Sequence, residues 1–186
     1  METLKADIRR TYELTSGNRL KRIIRCYRTP GVHAVVNIRF GQWIQKQNVL
    51  VKLFCLPLYY LQFRFIRTRW GIDIPSTTQI GKGFYIGHFG GIFISSEAKI
   101  GENVNISQGV TIGVSGQGEN RGCPTIGNNV YIAPGAKIFG KISIGDNVKI
   151  GANAVVYKDV PDNVKVVLDP GMKILSQADK DHDKAG

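Results

Sequence analysis

Long apolar runs, cysteine and histidine are all scarce in this chain of 186 residues. No uninterrupted apolar stretch reaches the ~18 residues that suggest a membrane-spanning helix, which argues against a transmembrane segment. Three cysteines are too few for a disulfide framework, and their odd number favours free thiols in a reducing compartment. The opening METLKADIRR carries acids and has no apolar centre, so no secretory signal is read there and the expected location is the cytoplasm. With 42% apolar and 21% charged residues the composition is globular rather than disordered, at a length that suits one domain with a small appendage.

Acidic residues are also scarce, but only at one end. Residues 1–72 hold 14 Lys or Arg against 3 Asp or Glu, a net of +11; residues 73–186 hold 11 of each, a net of zero. The whole positive charge therefore belongs to the first 72 residues. Such a split suggests two units, one with a basic docking face for an anionic surface. No nucleic-acid motif accompanies it, so anionic lipid is the favoured partner over nucleic acid, with peripheral contact at the inner membrane face.

From Asp73 onward the chain repeats every six residues. Ile74, Ile80, Ile86 and Ile92 form one series; after a slip of two come Ile94, Ile100, Ile106 and Ile112; after a longer interruption come Ile126, Ile132, Ile138, Ile144 and Ile150. A smaller series trails by four: Ala98, Val104, Val110, Val130, Ala136, Ile142, Val148, Ala154. Neither a helical period nor simple strand alternation gives this spacing. A coil of short strands does, with each Ile in an interior column and each rung pairing with its neighbours. Glycines after the isoleucines (Gly81, Gly87, Gly101, Gly113, Gly127, Gly145, Gly151) are expected to supply turn conformations. The division predicted is a helical region 1–72, a parallel β-solenoid 73–175 and a disordered tail 176–186.

The first region reads as helices: apolar positions at helical spacing from Leu4 to Tyr27, a break at Pro30-Gly31, a helix from about Val32 to Gln47, and a third segment, Val49 to Trp70, interrupted by Pro57. Its simplest role is a cap on the open end of the solenoid, together with contacts between subunits of an oligomer.

Three histidines leave little choice of base. His182 lies in the tail and His33 in the helical region, where packing is the simpler role. His88 stands in the solenoid at the phase slip, where a break in the regular column opens a ledge; an imidazole there is a candidate general base. Asp73 lies fifteen residues earlier. At about 18 residues per three-sided turn the two fall on adjacent rungs, where a carboxylate would orient the imidazole. The glycine-rich interruption from Gly113 to Cys123 lacks the Gly-Lys-Ser/Thr of a phosphate loop and is read as one wall of the active-site cleft. A three-His zinc site is not available on the solenoid, and no metal is expected. Cys123, beside Pro124, is read as cleft lining rather than nucleophile.

The hexads, for instance Ile-Gly-Asp-Asn-Val-Lys (144–149), resemble the hexapeptide-repeat acyltransferases, and that resemblance implies a mainly β fold, a left-handed parallel β-helix. Gly-Val-Thr-Ile-Gly (109–113), Gly-Ala-Lys-Ile-Phe-Gly (135–140), Lys-Ile-Gly-Ala-Asn-Ala-Val-Val (149–156), Asp7-Ile8-Arg9, 27–34 and Gly71-Ile72-Asp73-Ile74 look like the serine acetyltransferase family. The resemblance implies acetyl-CoA as cosubstrate, His88 as base with Asp73 as its partner, direct transfer without an acyl-enzyme, and sites formed between subunits of a homotrimer. A pairing of two trimers through the helices stays open. It also implies that Gly113, Ala133, Pro134, Gly135 and Ala152 line the cosubstrate groove and that Lys158 meets its phosphates.

The acceptor positions depart from that family. Gly87-His88 stands for its Asp-His, and Gly122-Cys123-Pro124 for its Arg-His-Pro, so the anchors for the amino and carboxylate groups of serine are missing; Arg121, one residue early, is a partial substitute. In these features the chain is closer to colanic-acid and capsule O-acetyltransferases. The expectation is therefore acetylation of a sugar hydroxyl in polysaccharide synthesis. Serine O-acetylation is the alternative, and a non-enzymatic trimeric scaffold is the alternative of a different class.

Overall fold

The computed structural model describes residues 2–168; the expectations for residues 169–186, the tail and His182 included, lie outside them. Four helices come first: α1 (Glu2–Leu14), α2 (Arg19–Arg28), α3 (Pro30–Gln45) and α4 (Val49–Trp70). Pro30 does not break the chain but opens α3, the one helical position where its missing N–H costs nothing. Pro57 likewise sits inside α4 without ending it. Asn18 and Asn48 cap α2 and α4 by accepting from the N–H groups of Lys21 and Val51, each at 3.0 Å. Left-handed Gly71 ends α4, its N–H bonding Arg67 O at 3.1 Å.

Short parallel strands follow: β1 (Ile72–Asp73), β2 (Gln79–Ile80), β3 (Tyr85–Ile86), β4 (Ile92–Ile94), β5 (Lys99–Ile100), β6 (Asn105–Ile106), β7 (Thr111–Gly113), β8 (Thr125–Ile126), β9 (Tyr131–Ile132), β10 (Lys137–Phe139), β11 (Ser143–Ile144), β12 (Lys149–Ile150), β13 (Val155–Val156) and β14 (Lys165–Val166). They stack into three sheets, β1-β4-β7-β10-β13, β2-β5-β8-β11 and β3-β6-β9-β12-β14. Each turn of the coil therefore contributes one strand to each of three faces. The register aligns the hexad isoleucines: Ile80 with Ile100 and Ile126, Ile86 with Ile106 and Ile132, Ile94 with Ile112 and Ile138. These residues and the smaller Ala98, Val104, Val110, Ala136, Val148 and Ala154 fill one continuous core.

The glycines act otherwise than expected. None of the seven that follow an isoleucine has a positive φ; the left-handed corners go instead to Asn103, Asn129, Asn147, Asn153 and Asn163 (φ 55 to 61°) and to other glycines, Gly83, Gly109 and Gly135 (φ 73 to 76°). The amides of Asn103, Asn129, Asn147 and Asn163 link rung to rung at 2.9–3.2 Å. A Cβ on Gly81 would stand 2.6 Å from the Gly101 carbonyl carbon, and one on Gly101 2.7 Å from that of Gly127. Close approach between rungs is what excludes side chains there. Gly87 and Gly113 are exceptions, with no backbone atom within 3.5 Å of an added Cβ.

The helices close the first turn of the coil. Arg39 on α3 donates to the carbonyls of Ile80 (2.7 Å) and Gly81 (2.6 Å) and to Asp7 of α1 (2.8 Å); Asp7 in turn accepts from the Phe84 N–H at 2.9 Å. Gln42 donates to Thr78 O at 3.1 Å. Gly31 lies so close to Ile86 that a side chain would collide with it. Without these partners the first rung would leave strand-edge groups buried and unsatisfied.

Candidate active site

The first turn of the coil is two residues longer than the second: Ile74 to Ile94 spans twenty, Ile94 to Ile112 eighteen. The surplus forms a corner between β3 and β4, residues 87–91, which turns through Gly90 (φ 106°) and Gly91 (φ 63°), conformations that resist a Cβ. His88 stands exposed on it, with no hydrogen bond to its ring among the described residues. The Gly87 N–H bonds Ile106 O (3.0 Å) and the Gly109 N–H bonds Gly90 O (2.8 Å), so the corner is fixed to the rung beside it.

The same edge of the solenoid continues through the other turns. Gly135 N–H bonds Gln108 O (2.9 Å), and Asn153 N–H bonds Pro134 O (2.9 Å). His88, Gly109, Ala133–Gly135 and Ala152 thus line up across four successive rungs, a span of about 14 Å at the usual strand spacing. Lys137 was not singled out from sequence. Its ammonium bridges this edge, donating to Gly109 O (2.6 Å) and Thr111 Oγ1 (3.0 Å).

The loop lies elsewhere. It leaves the first sheet after β7 and returns at β8, so it projects from the strands' C-terminal edge while His88 stands at their N-terminal edge. Ser115 and Gly122 exchange two backbone hydrogen bonds of 3.0 Å across its base. Lys158, with its ammonium 5.7 Å above the Tyr157 ring, is on the loop side. Within one chain the structure therefore brings together His88, Gly87, Ala133, Pro134, Gly135 and Ala152, and keeps Gly113, Arg121, Gly122, Cys123 and Lys158 apart from them.

Two side-chain pairings differ from expectation. No hydrogen bond or ion pair joins Asp73 to His88; the Asp73 carboxylate lies 3.9 Å from Arg67. Arg121 is not turned toward an acceptor space but makes a two-pronged bond to Glu97, 2.7 and 3.0 Å, which draws the Glu97 carboxyl below its usual range. Glu97 carried no sequence signal, because this pairing joins a corner to a loop 24 residues on. The Cys123 thiol is half-buried against the core, and burial pushes its pKa up despite a hydrogen bond with Ser95. A raised thiol is a poor nucleophile. Replacement of Cys123 by Ser is expected to leave acetyl transfer within a fewfold of the parent, read as CoA release; abolition would restore a nucleophilic role.

The fold, with an exposed imidazole on a solenoid edge lined by small residues, is that of the hexapeptide-repeat transferases. The model of the bacterial transferase hexapeptide (six repeats) family matches residues 123–159. Serine acetyltransferase of Synechococcus elongatus is 37% identical over 175 residues, 93% of this chain and 68% of that protein. That of Mycobacterium tuberculosis is 40% identical over 152 residues, 82% and 63%. Serine acetyltransferase from Brucella abortus strain S19 in complex with coenzyme A superposes with a TM-score of 0.76 at 29% identity, covering 91% of this chain and 65% of that one. The coil is the left-handed parallel β-helix of these hexapeptide-repeat proteins.

The chain belongs to the serine acetyltransferase family, acetyl-CoA-dependent acyltransferases, and spans about two thirds of the length of these relatives. The expectation of a sugar hydroxyl in polysaccharide synthesis is overturned. It rested on two departures, at Gly87 and at Gly122-Cys123, whereas similarity to serine acetyltransferases extends over 93% of the chain.

Proposed function

We propose that the protein transfers the acetyl group of acetyl-CoA to the hydroxyl of L-serine. The observation that carries this reading is the unpaired His88 at the head of an edge of small residues, in a chain related throughout to serine acetyltransferases. His88 takes the hydroxyl proton as the oxygen attacks the thioester carbonyl. Backbone N–H groups hold the negative charge that develops on the carbonyl oxygen. Collapse breaks the C–S bond, and the leaving thiolate recovers the proton from the imidazolium. Asp73 steadies that imidazolium after leaving Arg67, a contact too long and exposed to hold it firmly. The pantetheine arm lies along Ala133, Pro134, Gly135 and Ala152, where small side chains admit an extended ligand to the backbone.

The separation of His88 from the loop supports a site shared between copies. In a homotrimer the loop of one subunit, with Gly113, Arg121, Gly122, Cys123 and Lys158, faces the His88 edge of the next. Arg121 then serves as a positioning residue that holds the loop through Glu97. Residues 1–72 act as a separate capping unit on the catalytic solenoid that begins at residue 73. A cytoplasmic location suits both the acetyl-CoA requirement and the free thiols.

The test is CoA-thiol release from acetyl-CoA with L-serine as the acceptor. Saturable release is expected; no release while acetyl-CoA still binds would overturn serine as substrate. The missing anchors make a second measurement decisive. A Cβ at Gly87 would stand 3.3 Å from the Tyr85 ring and 3.8 Å from Ile106 O, whereas one at Gly122 would stand 2.5 Å from the Lys141 Cβ. The structure therefore has room for Asp at 87 but not for Arg at 122. Gly87→Asp is expected to lower the KM for L-serine by about tenfold or more, the worth of one charge-assisted hydrogen bond to the substrate amine. An unchanged KM would mean that the amine does not face this corner.

A further inference from the structure

The helical unit exposes more apolar surface than a cap requires. On α4, Leu50, Phe54, Leu61 and Phe65 follow one another at spacings of four, seven and four, and so share one face; Leu53, Leu58 and Tyr60 flank it. All seven are exposed, Phe54 by 77% and Leu61 by 67%. The opposite face holds Tyr59 and Ile66, both buried. Although Lys52, Pro57 and Gln62 interrupt its apolar run, α4 is long and apolar enough by composition to cross a membrane. Its inner face is engaged, however: the Tyr59 hydroxyl accepts from the Ser76 N–H at 3.2 Å, and Gly71 leads directly into β1. Only the outer face is available.

A second surface repeats the pattern. On α2, Leu20, Ile23, Ile24 and Tyr27 lie at helical spacing on one exposed face, among Arg19, Lys21, Arg25 and Arg28, with no acid in the helix. An aromatic series joins the two faces: Tyr27 to His33 at 5.9 Å, His33 to Trp70 at 5.3 Å, and Trp70 to Phe65 at 5.4 Å between ring centres. Basic residues border the α4 face at both ends, Lys46 and Lys52 at one, Arg64, Arg67 and Arg69 at the other.

We propose that α2 and the outer face of α4 form one docking surface for an anionic lipid membrane, with both helices lying in the plane of the interface. Apolar ridges edged by cations suit the boundary between acyl chains and anionic headgroups. The net charge of +11 on residues 1–72 is complementary to an anionic bilayer surface, and this complementarity favours lipid as the occupant.

The experiment is sedimentation of the full chain with vesicles of phosphatidylcholine alone and of phosphatidylglycerol and phosphatidylcholine at about 1:2, at two salt concentrations. The protein is expected to pellet with the anionic vesicles only, and less at high salt. Phe54→Ser with Leu61→Ser should weaken binding more than tenfold. Arg19→Glu with Lys21→Glu should weaken it roughly fivefold or more for each residue changed. Both variants should keep the parent's CoA release in solution, which shows that they fold. Equal pelleting with neutral vesicles, or none with either, overturns the proposal. If pelleting fails and the Phe54/Leu61 variant also lowers the sedimenting mass, the face is a contact between copies.

Discussion

Replacement of His88 by alanine is expected to reduce turnover by about 10²–10⁴-fold while acetyl-CoA binding persists, the usual contribution of a positioned general base. The expectation follows from place and from scarcity. Of the two histidines in the described residues, His33 is held in the helical unit, its Nε2 2.8 Å from Tyr27 O and its ring between Tyr27 and Trp70. His88 alone stands on the coil, exposed, at the corner where the first turn is two residues too long. The residues proposed to line the cosubstrate groove begin two rungs further on, so loss of the imidazole leaves Ala133, Pro134, Gly135 and Ala152 untouched. Binding of acetyl-CoA by calorimetry and CoA release by thiol titration would separate the two effects. A pH profile adds a third readout. A base must be unprotonated, so kcat/KM of the parent falls in acid, and His88→Ala should lose that limb. Asp73→Asn, which acts through the imidazole, should keep the limb and lower kcat. Full turnover in His88→Ala would remove this residue from the chemistry.

The interior of the coil was legible because every rung presents the same environment. A residue that recurs every six positions has one place to go, and Ile74 to Ile150 go there. What the period does not carry is the reason for the other residues. Glycine after isoleucine looks like turn chemistry, but at Gly81, Gly101 and Gly127 it answers a contact with the next rung. The turn chemistry belongs to other positions, to asparagines that hydrogen-bond along a column and to Gly83, Gly109 and Gly135. Phase also misleads about edges. His88 and Cys123 both stand where the repeat is interrupted, yet one interruption lies before a strand of the first sheet and the other after one, so one chain holds them apart. Long-range ion pairs were invisible for a different reason: Arg121 reads as an unpaired cation until Glu97, 24 residues earlier, is found on it. The acceptor was misread because two positions were weighed above the whole chain. At one of these, Gly87, the coil imposes no glycine, so its identity there is a change of residue and not of fold.

Asp7→Asn is expected to destabilise the fold by about 3–5 kcal/mol, the range for breaking a buried ion pair. Side-chain exposure is 1% for Asp7 and 8% for Arg39, and the pair is 2.8 Å apart. Neither ion can be hydrated once its partner is gone. The amide of an Asn can still accept one bond, but it cannot neutralise Arg39, which remains charged and buried. At roughly 2–4 °C per kcal/mol for a chain of this size, a fall in melting temperature of about 10 °C is expected, read by scanning calorimetry. Glu13→Gln is the control, because its pair with Arg9 is exposed and should leave the melting temperature unchanged. An apolar replacement should not rescue this site as it does some buried pairs. In Asp7→Leu with Arg39→Met the charges vanish, but the Ile80 and Gly81 carbonyls and the Phe84 N–H lose their partners as well. The double variant should therefore melt below the parent too. Here the ion pair closes the end of the solenoid: Arg39 gives Ile80 O the hydrogen bond that the N–H groups of Gly81 and Gly101 give to Ile100 O and Ile126 O on later rungs. If Asp7→Asn melted with the parent, water would have to reach those groups, and the cap would be held by its apolar contacts and by the Gln42–Thr78 and Tyr59–Ser76 hydrogen bonds.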